Sequence, residues 1–187
     1  MKVIIITRNE PRHMYFANQI CRRFAVAQIF VETPAGYWQK VLKTKSVSYI
    51  LNYWYKQQKN TLLRVKRKEA EYFFGKDISP AFERQDLVQA VANINAVGLA
   101  QNIKGLKPDV VLTFGCSVLA KEFLNTASQG IINIHSGIVP EYRGVDCVFW
   151  SMYNNQFSMV GSTIHFVNER IEVINQRLVP KAGIAKL

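Results

Sequence analysis

Residues 2–32, KVIIITRNEPRHMYFANQICRRFAVAQIFVE, carry the pattern that decides the fold. The segment Lys2–Thr7 is rich in β-branched residues and contains the continuous apolar run Val3–Ile6, which is typical of a strand buried on both faces. Between Phe16 and Phe24 an apolar residue recurs every four positions, which predicts one face of a helix. A second strand is predicted at Ala25–Glu32. This βαβ order predicts an α/β protein with a mostly parallel sheet, flanking helices and a right-handed crossover.

The remainder of the chain is predicted to be helical at first and to return to the βα order after Pro108. Residues 36–106 have mostly helical patterns, with a loop in EYFFGKDISP that turns at Gly75 and a helix over Arg84–Ile103. The elements predicted beyond Pro108 are strands at Asp109–Phe114, Gly130–His135 and Gly161–Val167, and helices at Val118–Thr126 and Cys147–Tyr153. We therefore expect one domain over residues 1–187.

The composition indicates a globular protein rather than a disordered or membrane-spanning one. Hydrophobic residues make up 49% of the chain and charged residues 20%, as in ordinary folded domains. The apolar run Val3–Ile6 is too short for a signal sequence, and no stretch approaches the roughly 20 apolar residues of a membrane helix. The three cysteines and three histidines lack the spacing of a disulfide framework or a metal site. We expect a cytoplasmic protein with no metal and no membrane partner.

The net charge of +11 is concentrated in an aromatic-rich basic stretch, residues 37–69. Such a stretch can attract a nucleic acid or a phosphorylated substrate. It also fits amphipathic helices with a solvated basic face and a buried aromatic face, which is the interpretation that we favour. Nucleic acid is therefore a less favoured partner, although a minority of these side chains remain candidates for contact with a phosphate.

The turn after the first predicted strand, TRNEPRH at residues 7–13, contains no glycine. A dinucleotide-binding fingerprint needs glycines at this turn so that the backbone can approach the pyrophosphate. The sheet is therefore predicted to lack a nicotinamide or flavin site.

Residues 130–144, GIINIHSGIVPEYRG, bring polar side chains to the end of a predicted strand. Asn133 and His135 are two positions apart, so they project to the same face of the strand. The carboxyl ends of strands in an open α/β sheet are where ligands bind. Tyr142 and Arg143 follow in the adjoining loop. This arrangement makes all four side chains candidates for a site.

A second polar-ended strand, GSTIHFVNERIE at residues 161–172, adds His165 and the carboxylate of Glu172. Taken singly, a strand histidine is more often a hydrogen-bonded structural residue than a catalyst, and Asn133 can simply close a turn. From the pattern alone, the structural and the functional interpretations stay open.

These motifs resemble those of the folate-dependent formyltransferase family. The similar residues are NIHSGIVPEYRG, then FW, then GSTIHFV, in order and over about a third of the chain. That family includes glycinamide ribonucleotide transformylase, methionyl-tRNA formyltransferase, formyltetrahydrofolate hydrolase and enzymes that formylate amino sugars on nucleotides. The segment RHMYF, residues 12–16, is similar to the sugar-modifying branch. The resemblance implies a Rossmann-like formyltransferase fold and N10-formyltetrahydrofolate as the formyl donor.

The resemblance also implies a mechanism, in which an amine attacks the formyl carbon and an oxyanion forms and collapses. Asn133 and His135 would donate hydrogen bonds to that oxyanion, and His135 would also move a proton. Glu172 stands where the family has an aspartate that steers the proton traffic. The implied folate-binding residues are Cys116, Ser117, Val118, Leu119, Asn168, Glu169 and Arg170, and the candidate substrate-binding residues are Arg12, Tyr142, Arg143 and His165.

The chain departs from the family pattern around the acid. Glu172 is one methylene longer than aspartate, and a displacement of about 1 Å can cost about 100-fold in rate. Ile174 takes the place of a glycine, and a β-branched residue is strained if the backbone there has a positive φ. Asp146 in the neighbouring loop is a weaker candidate for the same role. The chain also ends soon after this point. These features motivate a second hypothesis, a truncated or impaired formyltransferase-fold protein that binds ligand without turnover.

The amine substrate follows by elimination among the family's branches. The glycine-free first turn disfavours glycinamide ribonucleotide, and the chain has no room for the additional domains of the tRNA enzyme or the hydrolase. A nucleotide-linked amino sugar remains, with Arg12 and Arg143 as candidate phosphate partners. A homodimer is compatible with the sequence.

Overall fold

The computed structural model describes residues 1–33, 47, 50–51, 54–55, 58, 61, 64–144, 146–167 and 177–178. The strands are β1 (Lys2–Arg8), β2 (Ala25–Glu32), β3 (Val88–Val91), β4 (Val110–Phe114), β5 (Ile131–His135), β6 (Thr163–Phe166) and β7 (Arg177–Leu178). The α-helices are α1 (Pro11–Cys21), α2 (Val65–Phe74), α3 (Leu99–Gly105) and α4 (Cys147–Tyr153). Single 3₁₀ turns lie at Gln85–Leu87, Lys121–Phe123 and Phe157–Met159.

The strands form one mixed sheet in the order β3-β2-β1-β4-β5-β6-β7. The five strands from β3 to β5 in this order pair in parallel, whereas β6 runs antiparallel to β5 and β7 antiparallel to β6. The order reverses on either side of β1, so the carboxyl ends of β1 and β4 flank a topological switch point. The predicted mostly parallel α/β fold is confirmed.

The central strand β1 is buried on both faces, which explains its unbroken apolar run. Its alternate side chains enter two separate cores, because successive residues of a strand point to opposite sides. Ile4 and Ile6 pack on the side that α3 covers. Val3 and Ile5 pack on the side that α1 covers. The predicted βαβ opening is confirmed, although α1 ends before Phe24, which is exposed.

The predicted helix over Arg84–Ile103 is wrong in its first half. That segment instead forms a 3₁₀ turn and the edge strand β3, and α3 begins only at Leu99. Gly98 has a φ of +83° in the left-handed region, which breaks the helical path before α3. The four residues of β3 gain ladder hydrogen bonds from β2, a partner distant in sequence. Tertiary pairing therefore overrides the local pattern.

Two further predictions differ from the structure by more than two residues. The loop predicted in EYFFGKDISP begins later, because α2 continues through Phe74 and ends at Gly75, whose φ is +95°. The helix predicted at Val118–Thr126 is absent, and one 3₁₀ turn stands in its place. In the structure the side chain of Asn95 bonds both the Val118 carbonyl and the Ala120 N–H, and these long-range bonds support the non-helical path of the segment.

Among the described residues, no helix is long and apolar enough to cross a membrane. The same residues contain no group of three or more histidine, cysteine or acidic side chains arranged to hold a metal ion. Cys21, Cys116 and Cys147 are all free thiols.

Candidate active site

Three of the predicted site residues, Asn133, His135 and His165, lie where β5 ends beside its two neighbours. Thr113 of β4 pairs with Asn133 of β5, and Asn133 pairs on its other side with His165 of β6. His135, two residues on, lies opposite Thr163. Because paired residues project to the same face of a sheet, these side chains converge. The two sequence motifs that supply Asn133 and His165 therefore build one site.

A chain of three hydrogen bonds fixes the amide of Asn133. One end is the Phe166 carbonyl, which can only accept, 3.0 Å from Nδ1 of His165. Nδ1 therefore carries the ring proton, and Nε2 of His165 accepts from Nδ2 of Asn133 at 3.1 Å. Oδ1 of Asn133 accepts from the hydroxyl of Thr113 at 2.9 Å. Since Nδ2 bears two hydrogens and makes one bond among the described residues, its second N–H can donate to a ligand.

A backbone carbonyl orients the ring of His135. Nε2 of His135 lies 3.1 Å from the Tyr142 carbonyl oxygen and 3.4 Å from Sγ of Cys147. The carbonyl can only accept, so it favours the tautomer in which Nε2 carries the proton. Nδ1 is then the nitrogen that can accept a proton from a substrate.

The thiol beside this ring is protonated and inert. Cys147 is buried, and burial raises the pKa of its thiol, with the charge of Asp146 acting in the same direction. Its Sγ also lies 3.6 Å from the Gly144 carbonyl, to which the S–H can donate. Cys147 therefore packs against His135 without supplying a charge.

The loop after β5, which the structure describes from Ser136 to Gly144, is held in place by the side chain of Tyr142. Tyr142 is buried, and its hydroxyl donates to Oε1 of Gln156 at 2.6 Å and accepts from Nδ2 of Asn154 at 3.0 Å. Gly137 is packed so closely that a Cβ there would lie 2.7 Å from the Tyr142 carbonyl. The same carbonyl thus sets the position of the loop and the tautomer of His135.

Two of the candidate substrate-binding residues already contact parts of this loop. The Tyr142 hydroxyl is turned toward α4 and the turn after it, and Nε of Arg143 donates to the Pro140 carbonyl at 3.1 Å. His165 is buried next to Asn133. Their predicted contacts with a substrate stay predictions.

The remaining substrate candidate, Arg12, lies in the first turn of α1. It forms ion pairs with Glu10 at 2.6 Å and with Glu69 of α2 at 2.8 Å. A phosphate at Arg12 would have to compete with these two carboxylates.

The predicted folate-binding residues Cys116, Ser117, Val118 and Leu119 form the loop after β4, next to the strand that bears Asn133. Burial raises the pKa of Cys116 to about 12, so its thiol stays protonated. The side chain of Val118 is 66% exposed. The second predicted folate segment, Asn168, Glu169 and Arg170, and the predicted acid Glu172 lie outside the described residues.

Sequence reasoning missed the residues that orient the site. Thr113 is the one hydroxyl in the strand VVLTF, and that interruption of an apolar strand is a signal that could have been used. Glu32 and Asn95 bond the loop after β4, and no pattern in the sequence links them to it. The Tyr142 carbonyl that bonds His135 is a backbone group, so a motif of side chains cannot predict its role.

Comparison with known proteins decides the family. A family model described as "Formyl transferase" matches residues 57–173, which is more than half of the chain. The chain belongs to the formyl transferase family. The resemblance inferred from the NIH and TIH motifs is thereby confirmed at the level of the family, whereas the sugar-modifying branch is not.

Relatives within the formyl transferase family match only part of their own length. A methionyl-tRNA formyltransferase of Lysinibacillus sphaericus is 35% identical over 85 residues, 43% of this chain and 26% of that protein. One of Methylacidiphilum infernorum is 37% identical over 82 residues, 43% of this chain and 25% of that protein. The matched segment thus spans about a quarter of these relatives.

Solved structures show the same fold at low identity. A phosphoribosylglycinamide formyltransferase of Bacillus halodurans superposes with a TM-score of 0.53 and 16% identity, covering 95% of this chain and 79% of that one. The enzyme of that name from Streptococcus pneumoniae gives 0.53 and 18%, covering 100% and 86%. The described residues therefore share the fold of these formyltransferases.

Proposed function

We propose that this protein transfers a formyl group from N10-formyltetrahydrofolate to the amine of a nucleotide-linked amino sugar. The observation that carries the transfer step is the hydrogen-bond chain that leaves one N–H of Asn133 to donate beside the ring of His135. Membership of the formyl transferase family supports the reaction class.

Asn133 acts as a donor that is oriented before the substrate arrives. Its amide cannot rotate freely, because Thr113 holds the oxygen and His165 accepts from the nitrogen. The remaining N–H donates to an oxygen that gains negative charge as the amine adds. A preorganised donor of this kind is commonly worth about 10²–10³ in rate, since it needs no reorganisation during the reaction.

His135 acts as the proton carrier. The Tyr142 carbonyl holds the proton on Nε2, so Nδ1 accepts the proton that the attacking amine loses. The same nitrogen returns that proton to N10 of tetrahydrofolate as the oxyanion collapses and the bond between N10 and the formyl carbon breaks. Glu172 is proposed as the carboxylate that tunes this transfer, on the strength of its position in the family pattern.

The loop after β4 fits the folate donor. It lies at the carboxyl end of β4, beside Asn133, and it presents the exposed side chain of Val118. When bound there, N10-formyltetrahydrofolate supplies an activated formyl carbon. The chain's own contribution is to hold that donor next to Asn133 and His135.

The nucleotide-linked amino sugar is supported by the first turn of the chain. Residues 7–13 contain no glycine, and Arg12 within them is paired with two carboxylates, which disfavours a glycine-lined phosphate cradle like that of glycinamide ribonucleotide transformylase. The relatives matched by sequence are named for methionyl-tRNA, so that acceptor belongs in the same assay.

The test is amine-dependent release of tetrahydrofolate, measured with purified protein and N10-formyltetrahydrofolate. The acceptors are a panel of nucleotide-linked amino sugars, glycinamide ribonucleotide and methionyl-tRNA. Turnover only with an amino sugar nucleotide is the expected result. Turnover with either other acceptor would overturn the substrate and keep the reaction. Donor binding without turnover on any amine would favour the impaired binding protein suggested by Glu172 and Ile174.

A further inference from the structure

A buried carboxylate at the carboxyl end of β2 grips the loop Gly115–Ala120, here called the donor loop. Glu32 is only 7% exposed. Its Oε2 accepts from the backbone N–H of Ser117 and from the Ser117 hydroxyl, both at 2.9 Å. Oε2 also pairs with Arg8 at 3.3 Å. A buried charge is stable only when donors surround it, and here two of the donors belong to the donor loop.

A second side chain bonds the same loop one and three residues after Ser117. Nδ2 of Asn95 donates to the Val118 carbonyl at 2.8 Å, and Oδ1 of Asn95 accepts from the Ala120 N–H at 2.8 Å. Asn95 is itself tied to Glu32, because Oε1 of Glu32 accepts from the N–H of the preceding residue, Ile94, at 3.4 Å. Glu32 and Asn95 thus form one clamp that spans the donor loop.

The clamp fixes a conformation that the loop's own sequence does not favour. The segment from Val118 onward has a helical pattern, but Asn95 takes the backbone groups of Val118 and Ala120 and leaves the Val118 side chain exposed. A loop that is already held in one conformation loses little conformational entropy when a ligand binds to it.

We infer that Glu32 and Asn95 are positioning residues that hold the donor loop in the shape that receives the folate donor. This inference rests on the proposed function, because it takes the donor loop as the folate contact. Neither residue touches the reacting atoms, and both act through the loop backbone.

The chain contains a matched control for Asn95. Asn18 of α1 makes the same pair of bonds, with Nδ2 donating to the Ala81 carbonyl and Oδ1 accepting from the Glu83 N–H, both at 2.9 Å. In both cases the bonded groups are two residues apart. Asn18 grips the segment before β3 and makes none of these bonds to the donor loop. Asn95→Ala and Asn18→Ala therefore delete equal bonding at different places.

The experiment measures the affinity of the full chain for 5-formyltetrahydrofolate by calorimetric titration, together with amide hydrogen exchange of residues 115–120. Asn95→Ala and Glu32→Gln are expected to weaken binding about tenfold or more and to speed exchange in the donor loop. Asn18→Ala is expected to lower the melting temperature about as much as Asn95→Ala does, while its affinity for 5-formyltetrahydrofolate stays near that of the wild type. Should Asn95→Ala fail to fold, Asn95→Asp keeps the bond from Ala120 and removes only the donor to Val118.

The outcomes separate this inference from the proposed function. If the wild-type chain binds the probe and the clamp variants bind it equally well, the positioning role is overturned and the folate site stands. If Asn18→Ala weakens binding as much as Asn95→Ala does, the effect is one of global stability, and the positioning role is again overturned. If the wild-type chain does not bind the probe at all, the formyl-donor proposal fails, and the role given to the clamp fails with it.

Discussion

Two buried histidines of the protein differ in their hydrogen bonding, and the difference distinguishes a histidine that only packs from one beside the candidate site. His165, in β6, sits in a continuous chain of hydrogen bonds from Thr113 to the Phe166 carbonyl. His13, in α1, is 2% exposed, and its Nδ1 has no hydrogen-bond partner among the described residues. Its ring instead meets Phe114 edge to face, with ring centroids 4.7 Å apart.

This comparison shows what burial does to an imidazole without partners. Desolvation, together with the nearby charges of Arg12 and Arg8, lowers the pKa of His13 to about 3. His13 therefore stays neutral at ordinary pH and acts as an aromatic spacer. At β5 and β6 each ring faces a carbonyl that decides which nitrogen carries the proton, and such fixed tautomers are what acid–base chemistry requires.

The largest effect is expected on turnover when the carboxyl end of β5 is changed. His135→Ala should lower turnover by about 10²–10⁴-fold, because it removes the proton acceptor, while the fold is kept. His13→Leu should alter stability and leave turnover largely in place. Single-turnover rates of formyl transfer and melting curves check both variants. Full activity in His135→Ala would show that His135 is not the proton acceptor and that it differs from His13 only in its packing.

The next effect is expected at Gly115, where the His13 ring lies against the backbone. Gly115 has a φ of +73°, and a Cβ there would lie 2.3 Å from Nε2 of His13. Gly115→Ala should therefore cost about 2–4 kcal/mol, from the left-handed backbone and the collision together. Urea denaturation measures the loss. The double variant Gly115→Ala, His13→Ala should lose less than the sum of the single losses, since the collision is gone. Simple additivity would show that His13 does not fill this space.

A smaller effect is expected when the Asn133 amide is left without its hydroxyl partner. Thr113→Val keeps the shape of the side chain but removes the bond to Oδ1, so the amide can turn and turnover should fall roughly tenfold, equal to about 1.4 kcal/mol. Thr7→Val is the matched control, because Thr7 is also buried and its hydroxyl bonds only the Phe114 carbonyl among the described residues. Steady-state rates and melting curves compare the two. Equal losses of turnover would mean that Thr113 serves stability alone.

The last effect is expected in the pH dependence of stability rather than in turnover. The pKa of His13 in the folded chain, about 3, is below its ordinary value of 6.5, so the unfolded chain binds a proton first as the pH falls. Stability should therefore decline below about pH 6.5, with His13 contributing up to about 1.4 kcal/mol per pH unit. The free energy of unfolding at pH 7, 6 and 5 checks this slope. His13→Leu should flatten it, and an unchanged slope would assign the pH dependence to other groups.

The local sequence pattern was sufficient to predict an element where the spacing of its apolar residues matches the period of the strand or helix. Ala25–Glu32 and Cys147–Tyr153 were predicted with the bounds that the structure shows, and β1 differs only by one residue at its end. The NIH motif and its neighbour TIH were enough to indicate one site and the family. These features depend on alternation and spacing along a single segment, which the order of residues records directly.

The sequence by itself determined the mostly parallel sheet, the placement of Asn133 and His135 on one face of β5, and membership of the formyl transferase family. Only the tertiary structure decided that β3 is a strand and that Asn95 bonds a loop where the sequence predicts a helix. It also decided that Thr113 and His165 orient the amide of Asn133 by hydrogen bonds. The physical reason is the distance along the sequence between the residues that bond each other. A hydrogen bond between residues 20 to 85 positions apart is strong enough to override a local preference, yet it leaves no period in the sequence.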